Sequence, residues 1–280
     1  MSKKFIDIDE IFKSKNPKLF RVFPKFIVSY LKRVVHQDQM NDFIDRNGHL
    51  FGIDFVNAII TEFGIQIKVK GIENLPKNGG CILAANHPLG GLDAIALMQQ
   101  VAEKRTDFRF IVNDILLQLK NLGSLFIGVN KHGKNSKEML EQIDELYSGN
   151  GIVMIFPAGL VSRKQQGVIK DLEWKKSFIS KSKKYQRNII PVRISGKNTD
   201  WFYNLSNFRK KIGIKANIEM IYLPDEMYKQ NNQTVEITFG KPIPWQTFDE
   251  QMSEQAWAQQ VKEYIYTLDS ASQFRTIDAK

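Results

Sequence analysis

The sequence predicts an α/β fold: a mostly parallel or mixed sheet flanked by helices, with an N-terminal helical segment. Three observations carry this prediction. Residues 65–268 alternate short apolar runs with helical patterns, which is the order of successive βαβ units. The central apolar runs are continuous rather than alternating, as in strands buried on both faces. The 280 residues, 42% hydrophobic and 25% charged, have an ordinary globular composition that can bury a core. We therefore expect one compact unit.

The N-terminal segment, residues 1–64, is predicted to hold two or three helices. One of them is expected over Asn41–Phe63, where apolar residues recur at roughly helical spacing. Residues 20–33 mix aromatic side chains with lysine and arginine. That mixture is typical of a core helix with snorkelling lysines, and equally of a helix lying in a membrane interface. The sequence leaves both interpretations open.

The α/β domain is predicted over residues 65–280. Asn135 with Glu138 indicates a helix-capping pair, and Ser253 a second helix start. The predicted strands are Ile65–Val69, Gly80–Ala85, Phe108–Val112, Leu125–Val129, Gly151–Phe156, Ile189–Ile194, Asn217–Leu223 and Thr234–Phe239. The predicted helices are Leu92–Lys104, Asp114–Asn121, Asn135–Tyr147, Asp171–Tyr185 and Ser253–Leu268.

The net charge of +10, from 40 basic and 30 acidic side chains, favours a polyanionic partner. A solvated helix face is the alternative for any one basic cluster, but three clusters favour an anionic surface. Because no recognised nucleic-acid motif is present, we expect an anionic membrane and no nucleic acid. The clusters are Lys13, Lys15, Lys18, Arg21, Lys25, Lys32 and Arg33; Lys170, Lys175, Lys176, Lys181, Lys183, Lys184 and Arg187; and Lys197, Arg209, Lys210, Lys211 and Lys215.

Neither a signal peptide nor a transmembrane helix is predicted. The first ten residues precede no apolar h-region, and no window reaches the ~18 apolar residues that a spanning helix needs. Any membrane association is therefore expected to be peripheral. With a single cysteine, Cys81, the chain cannot form a disulfide framework. Cys81 lies in an apolar run and is predicted to be a buried residue of the core. No metal is predicted, because His-x-His, His-Glu-x-x-His and Cys-x-x-Cys patterns are absent.

Three segments with unusual residues follow predicted strands: Asn86–Asp93, Asn130–Lys134 and Pro157–Lys164. The ligand crevice of an α/β sheet lies at the carboxyl ends of its strands. We therefore expect these segments to form one site. For His132, in the second segment, an exposed turn is the alternative.

His87 and Asp93 indicate a histidine–carboxylate pair without a protein nucleophile. A Gly-x-Ser-x-Gly elbow and both phosphate-loop patterns are absent. Such a pair suits direct attack by a substrate hydroxyl or amine, with the imidazole removing its proton and the carboxylate stabilising the imidazolium. Gly90 and Gly91 would let backbone approach the ligand closely. These residues alone do not identify the substrate.

Four blocks, in order, resemble the motifs of the glycerolipid acyltransferase family, the lysophosphatidic acid acyltransferase-like proteins. The resemblance covers residues 65–245 and implies that His87 deprotonates the acceptor hydroxyl while Asp93 orients it. It implies a thioester on acyl carrier protein or coenzyme A as co-substrate, without a further cofactor, at the cytoplasmic face of a bacterial inner membrane. The blocks are Asn86-His87-Pro88-Leu89-Gly90-Gly91-Leu92-Asp93, Gly123-Ser124-Leu125-Phe126-Ile127, Ile155-Phe156-Pro157-Ala158-Gly159 and Ile189-Ile190-Pro191-Val192.

The sequence also departs from the family pattern. Five residues, instead of the usual four, separate the histidine from the aspartate; no arginine closes the second motif, and the third lacks its glutamate and arginine. In the family the missing arginine and glutamate side chains engage the glycerol phosphate of the acceptor. The hemolysin-like branch, which includes O-acyltransferases of bacterial aminolipids, is more similar, also at Asp171-Leu172-Glu173-Trp174-Lys175 and Ser195-Gly196-Lys197-Asn198. Its acceptor carries a carboxylate, with which Arg163 or Lys131 could pair; a surface position is the alternative for Arg163.

The predicted function is therefore acyl transfer to the hydroxyl of a lysolipid, with a lyso-aminolipid of glycine, ornithine or serine as acceptor. Two alternatives are a 1-acyl-glycerol-3-phosphate acyltransferase that recognises phosphate through lysines, and a non-catalytic protein that binds anionic membranes. The predicted catalytic residues are His87 and Asp93. The predicted substrate-binding residues are Asn86, Gly90, Gly91, Asn130, Lys131, Phe156, Pro157, Gly159 and Arg163.

Overall fold

The computed structural model describes residues 5–15, 24–129, 137–268 and 274 of the chain. The helices are α1 (Ile8–Lys15), α2 (Lys25–Val34), α3 (Gln37–Asn47), α4 (Ile53–Glu62), α5 (Gly91–Ala102), α6 (Lys137–Ser148), α7 (Ser177–Tyr185), α8 (Asp200–Lys211), α9 (Leu223–Tyr228) and α10 (Glu254–Tyr266). The strands are β1 (Gln66–Lys70), β2 (Cys81–Ala85), β3 (Phe108–Asn113), β4 (Phe126–Val129), β5 (Ile152–Ile155), β6 (Arg163–Gln165), β7 (Val168–Lys170), β8 (Asn188–Ile194) and β9 (Thr234–Phe239). Among these residues no helix has the length and apolarity needed to cross a membrane.

A seven-stranded sheet lies at the centre, in the order β1-β9-β8-β2-β5-β3-β4. The five strands from β8 to β4 pair in parallel. β9 pairs antiparallel with β8 and parallel with β1, so these two strands run opposite to the other five. The sheet is mixed, and the predicted fold class is confirmed. Seven of the eight predicted strands are present; the hairpin of β6 and β7 is an addition.

The central strand β2 is buried along its whole length because its side chains enter two cores, one on each face of the sheet. Cys81, Leu83 and Ala85 join the core that α4 and α5 cover, whereas Ile82 and Ala84 join the core that α7 and α10 cover. This two-sided burial explains why the strand is continuously apolar. It also fixes the end of β2, from which the candidate site begins.

The N-terminal region is more divided than the sequence predicts, with four helices in its described part. The single helix expected over Asn41–Phe63 is wrong, because α3 and α4 share that stretch. The chain turns between them at Gly52, whose φ of 58° favours glycine. The Gly52 N–H donates to the Asn121 carbonyl at 2.7 Å, which anchors the turn. The break lets α4 pack on α5 in the first core.

Three further predictions in the α/β region need correction. The strand expected at Asn217–Leu223 is a 3-10 helix, Ile218–Tyr222, that runs into α9. The helix expected at Asp171–Tyr185 begins only at Ser177. The stretch Asp114–Asn121 forms 3-10 turns instead of an α-helix. Asn135 lies outside the described residues, so its predicted cap stays a prediction.

The sequence pattern does not predict α8, which begins where the Thr199 side chain accepts a hydrogen bond from Phe202 N. One face of α8 is buried, but Trp201 and Phe208 are exposed on the outside. Apolar residues all round the helix obscure the periodicity on which a prediction depends.

A buried ion cluster joins α8 to the strand that follows the third motif. Arg163 Nη2 donates to Glu219 Oε1 at 2.9 Å, and Arg209 Nη2 donates to the same oxygen at 3.0 Å. All three residues are at most 4% exposed, and the Arg163 guanidinium lies 5.4 Å from the Phe202 ring centroid. Burial alone would raise the pKa of Glu219, but the hydrogen bonds and charges of the two arginines outweigh it and lower the pKa.

The substitution Glu219→Gln is expected to reduce the free energy of unfolding by about 3 kcal/mol at pH 7, because it leaves two buried arginines without a carboxylate. Since the folded pKa of Glu219 lies below its ordinary value, its contribution is complete above pH 4.5 and is lost as the pH falls through the lowered folded value. Denaturant unfolding between pH 7 and pH 3 measures both effects. Glu173→Gln, at an exposed carboxylate, is the control; equal effects of the two variants would contradict the prediction.

Candidate active site

His87 and Asp93 form a hydrogen-bonded pair, with 2.9 Å between Nδ1 and Oδ2. β2 ends at Ala85, so His87 lies at the carboxyl edge of the sheet, and Asp93 lies in the first turn of α5. The five intervening residues, one more than the resembling family usually has, do not hold the pair apart. An ionised carboxylate only accepts hydrogen bonds, so Nδ1 carries the hydrogen and Nε2 keeps its lone pair. This arrangement suits a general base.

Asp93 is fully buried and is held by main-chain donors as well as by the imidazole. Its Oδ2 also accepts hydrogen bonds from Leu89 N at 2.8 Å and Gly90 N at 3.1 Å. Its Oδ1 has no hydrogen-bond partner within the described part of the chain. Burial raises the pKa of Asp93, although the hydrogen bonds from His87 and the two N–H groups oppose that rise. The three donors to Oδ2 fix the direction in which the carboxylate faces His87.

Phe156 covers one face of the imidazole. The ring centroids of His87 and Phe156 are 4.0 Å apart, and the two planes are 13° from parallel. Phe156 in turn packs on Phe110, with 4.8 Å between centroids. The ring plane of His87 is thus fixed by stacking and its rotation by Asp93.

The main chain of His87 is also held at both of its polar groups. The His87 carbonyl accepts a hydrogen bond from Ser162 N at 2.8 Å, and His87 N donates to Asp171 Oδ1 at 3.1 Å. Asp171 Oδ1 accepts from Ser162 Oγ at 2.6 Å, and Oδ2 accepts from Trp174 Nε1 at 2.9 Å. The segment after the third motif is therefore bonded directly to the predicted base, and the first and third predicted segments meet in one site.

Asp171 is a residue to which the sequence assigns no role. It is 3% exposed, and its N–H donates to Tyr266 Oη at 2.7 Å. The one signal in the sequence is its place in the block Asp171–Lys175, which is similar to the hemolysin-like branch. That block is not helical, because Lys175 N donates to the Pro157 carbonyl at 3.1 Å and holds the block against the third motif.

The predicted glycines differ in what their surroundings allow. Gly90, with a φ of 89°, donates its N–H to Asp93, which removes that N–H as a donor to an oxyanion. Gly91 begins α5, and a Cβ added there would meet nothing within 4 Å. The first N–H groups of a helix have no partner inside it, so the N–H of Gly91 is a candidate donor to an oxyanion. Gly159, with a φ of 63°, closes a turn by donating to the Phe156 carbonyl at 2.9 Å.

Two predicted substrate-binding side chains are occupied by the protein itself. Asn86 Nδ2 donates to Ile194 O at 2.8 Å, and its Oδ1 accepts from Ile194 N at 2.7 Å, which links the ends of β2 and β8. Arg163 is 1% exposed in the ion cluster with Glu219, so the alternative that it is a surface residue is wrong. Its guanidinium presents no exposed face to a substrate carboxylate.

Two other predicted residues, Asn130 and Lys131, lie outside the described residues, as does His132. Across the described ranges no three histidine, cysteine, aspartate or glutamate side chains are grouped as metal ligands would be. Cys81 is buried at the start of β2, at the opposite end of the strand from His87, and burial raises the pKa of its thiol to about 12. It packs as a small apolar side chain.

The chain is similar to known acyltransferases over nearly its whole length. The acyltransferase family pattern matches residues 10–273. Over 265 residues the chain is 46% identical to a lyso-glycine lipid O-acyltransferase of Bacteroides thetaiotaomicron, covering 94% of this chain and 97% of that protein. Over 264 residues it is 44% identical to a protein of the same name from Phocaeicola vulgatus, covering 94% and 95%.

Among solved structures, the 1-acyl-sn-glycerophosphate acyltransferase of Thermotoga maritima is similar at a TM-score of 0.46 and 17% identity, over 89% of this chain and 95% of that one. That likeness is too weak to bear on fold or function. The sequence match covers nearly the whole chain, including His87 and Asp93, and the resemblance seen in the motifs is confirmed. This protein belongs to the acyltransferase family and is an acyltransferase.

Proposed function

We propose that this acyltransferase moves a fatty acyl chain from an acyl carrier protein or coenzyme A thioester to the hydroxyl of a lysolipid, with a lyso-glycine lipid as acceptor. The observation that carries the chemistry is the 2.9 Å hydrogen bond between His87 Nδ1 and Asp93 Oδ2, which leaves Nε2 as the base. The names of the two relatives, at 46% and 44% identity, support the class of acceptor.

The proposed reaction needs no protein nucleophile. Nε2 of His87 takes the proton of the acceptor hydroxyl while the hydroxyl oxygen attacks the carbonyl carbon of the thioester. Asp93 stabilises the imidazolium that results. The oxyanion of the tetrahedral intermediate needs preorganised donors, for which the N–H of Gly91 is a candidate. When the intermediate collapses, the C–S bond breaks and the departing thiolate receives the proton from the imidazolium. The histidine thus returns to its neutral form.

The surroundings of two basic residues after the third motif bear on the class of acceptor. In the resembling family this motif engages the glycerol phosphate of the acceptor. Here Arg163 is buried against Glu219, and Lys164 Nζ pairs with Asp200 Oδ1 at 2.7 Å, so neither offers an unpaired charge to a phosphate. A carboxylate carries less charge and needs fewer cations.

We also propose that the enzyme docks on an anionic membrane through an apolar face made by α2 and α8. On α8 and just beyond it, Trp201, Phe208 and Ile212 recur at helical spacing and are each about half exposed. Phe26 of α2 is 73% exposed. The two helices meet at Tyr222, whose hydroxyl is 3.0 Å from that of Tyr30 and whose ring centroid is 4.2 Å from that of Trp201.

The charges around this apolar face support a lipid surface as partner. Lys210 and Lys211 are exposed at the end of α8, next to Phe208. By contrast, four lysines of the second basic cluster form ion pairs at the surface: Lys170 with Glu263, Lys183 with Glu250, and Lys181 and Lys184 with the shared Asp144. Exposed aromatic side chains beside exposed lysines are the usual composition of an interfacial helix.

Purified protein supplied with acyl-coenzyme A or acyl carrier protein thioester is expected to acylate a lyso-glycine lipid faster than lysophosphatidic acid. In the same assay His87→Ala is expected to lower kcat by about 10²–10⁴-fold, the range that a general base contributes. Asp93→Asn is expected to lower kcat as well, because an amide cannot stabilise the imidazolium.

His49→Ala, at an exposed histidine, is the matched control and should retain full activity. A much faster reaction with lysophosphatidic acid would show that the aminolipid proposal is wrong. A rate for His87→Ala within about threefold of the wild-type rate would show that His87 is not the base.

Asp171→Asn is expected to lower kcat about tenfold or more with little change in KM. The carboxylate accepts hydrogen bonds at both of its oxygens, whereas an amide has one oxygen that can accept. At least one of the bonds to His87 N, Ser162 Oγ and Trp174 Nε1 is then lost. Steady-state kinetics separate kcat from KM, and a melting curve shows whether the fold is kept. Glu173→Gln makes the same chemical change at an exposed neighbour; a similar loss there would refute a specific role for Asp171.

Phe208→Ser combined with Ile212→Ser is expected to weaken binding to vesicles that contain anionic lipid by about tenfold or more, since it removes two buried contacts with acyl chains. Flotation or co-sedimentation measures this binding. Leu140→Ser, at an exposed apolar residue on α6, should leave it unchanged. Equal binding by all three proteins would exclude the apolar face as the docking surface.

A further inference from the structure

A cavity of about 390 Å³ opens at the carboxyl edge of the sheet, next to the candidate base. Asn86 and Pro88, the residues on either side of His87, line it. Its other walls include Ser162 and Tyr266, together with Arg193 at the end of β8 and Lys197 in the following loop. Two residues that line the cavity are therefore adjacent in sequence to His87. Phe156, which stacks on the imidazole, is not among the lining residues.

The charge of this cavity is positive. Arg193 and Lys197 are exposed, and no aspartate or glutamate is among the described residues that line it. Arg193 Nη1 donates to the Tyr266 carbonyl at 3.1 Å, and within the described part of the chain neither cation forms an ion pair. A smaller cavity of about 210 Å³ adjoins along Arg193, where Lys70 and one acid, Glu236, face it. The two cavities together present three cations against one carboxylate.

The backbone that carries the two cations is tied to the segment that carries His87. The amide of Asn86 bonds to both main-chain groups of Ile194, which ties the residue before His87 to the residue after Arg193. The next loop turns at Gly196, with a φ of 119°, where a Cβ would come within 2.8 Å of Leu89. The block Ser195–Asn198 therefore packs directly on the turn that precedes Asp93, so the spacing between cavity and base is built into the fold.

Of the two cations that the sequence suggests for a substrate carboxylate, Arg163 and Lys131, only Arg163 lies among the described residues, and it is already paired, as is its neighbour Lys164. Arg163 is bound to Glu219 and Lys164 to Asp200. Both substrates of the proposed reaction carry an anionic group: the acceptor has a headgroup carboxylate a few bonds from its reacting hydroxyl, and the donor has a phosphate at the far end of its pantetheine arm. Binding such a group requires cations that are not paired elsewhere.

We propose that this cavity is the subsite for a substrate anion, a carboxylate or a phosphate, with Arg193 and Lys197 as its binding residues. The inference rests on the proposed acyl transfer at His87, because only that reaction gives the cavity a substrate to hold. Arg193 offers a planar fork of N–H donors that matches either oxyanion, and Lys197 adds a second charge. Asn86 acts here as a positioning residue that joins the subsite to the base.

Binding titrations of the full chain test the proposal with two matched pairs of probes. N-octanoylglycine and its methyl ester represent the acceptor with and without its charge, and 4′-phosphopantetheine and pantetheine represent the donor arm. One charged probe is expected to bind the wild-type protein about tenfold or more tightly than its neutral partner. The double variant Arg193→Gln, Lys197→Gln should lose that preference while its affinity for the neutral probe stays within about twofold.

Two further variants make the result specific. Arg193→Lys keeps the charge and should keep most of the preference, whereas Lys104→Gln removes an exposed charge beyond the far end of α5 and should change nothing. A preference for N-octanoylglycine assigns the subsite to the acceptor, and one for 4′-phosphopantetheine assigns it to the donor. If the wild-type protein binds neither charged probe better than its neutral partner, or if the double variant keeps the preference, the subsite is refuted.

The binding readout does not depend on turnover, so the two proposals fail separately. A wild-type protein that acylates lyso-glycine lipid but shows no charge preference keeps the proposed function and loses the subsite. A protein that binds the charged probe through Arg193 and Lys197 but transfers no acyl chain to that lipid keeps the subsite and loses the proposed acceptor.

Discussion

The buried carboxylate of Asp93 is the constraint on which the site depends. Removing an ionised carboxylate from water costs several kcal/mol unless donors replace the lost hydration. Here the donors are the His87 imidazole and the N–H groups of Leu89 and Gly90, all delivered to Oδ2. They converge only because Gly90, at a φ of 89°, turns the chain from the end of β2 into α5. One oxygen atom thus ties together the strand end, the turn and the helix start.

A second set of contacts determines how that local unit is oriented in the protein. Asp171 and Ser162 hold the main chain of His87, and Phe156 holds its ring. These residues lie 69 to 84 positions further along the chain than His87. The imidazole is therefore fixed in three ways, at Nδ1, at its ring face and at its backbone. Preorganisation of this kind is what makes a lone histidine effective as a base, because the productive geometry need not be found at each turnover.

Features that depend on contacts between neighbouring residues can be predicted from this sequence, and features that depend on distant contacts cannot. Burial on both faces makes β2 continuously apolar, so the strand and the turn after it can be predicted from neighbouring residues alone. The burial of Arg163 cannot be predicted in this way, because it depends on Glu219, 56 positions away, and on α8. The exposed Trp201 and Phe208 of α8 obscure the helical pattern of that segment. The strand predicted at residues 217–223 is wrong for a related reason: the stretch forms a 3-10 turn whose buried residue is Glu219, bound to the distant Arg163 and Arg209, while the apolar Ile221 is exposed.

The same argument separates the chemistry of this protein from its selectivity. The acid–base pair lies within seven consecutive residues, so the motif that encodes it survives as a readable pattern in the sequence. The cations at the carboxyl edge of the sheet are brought there by elements that are distant in sequence, and their free or paired state decides which of them can meet a substrate. Arg163 is a candidate from its motif but is bound to Glu219, whereas Arg193 stands in no motif, forms no ion pair with the described residues and lines the cavity next to Asn86 and Pro88. A family motif therefore predicts that acyl transfer occurs here, while the choice of substrate has to be sought among cations that the fold leaves unpaired.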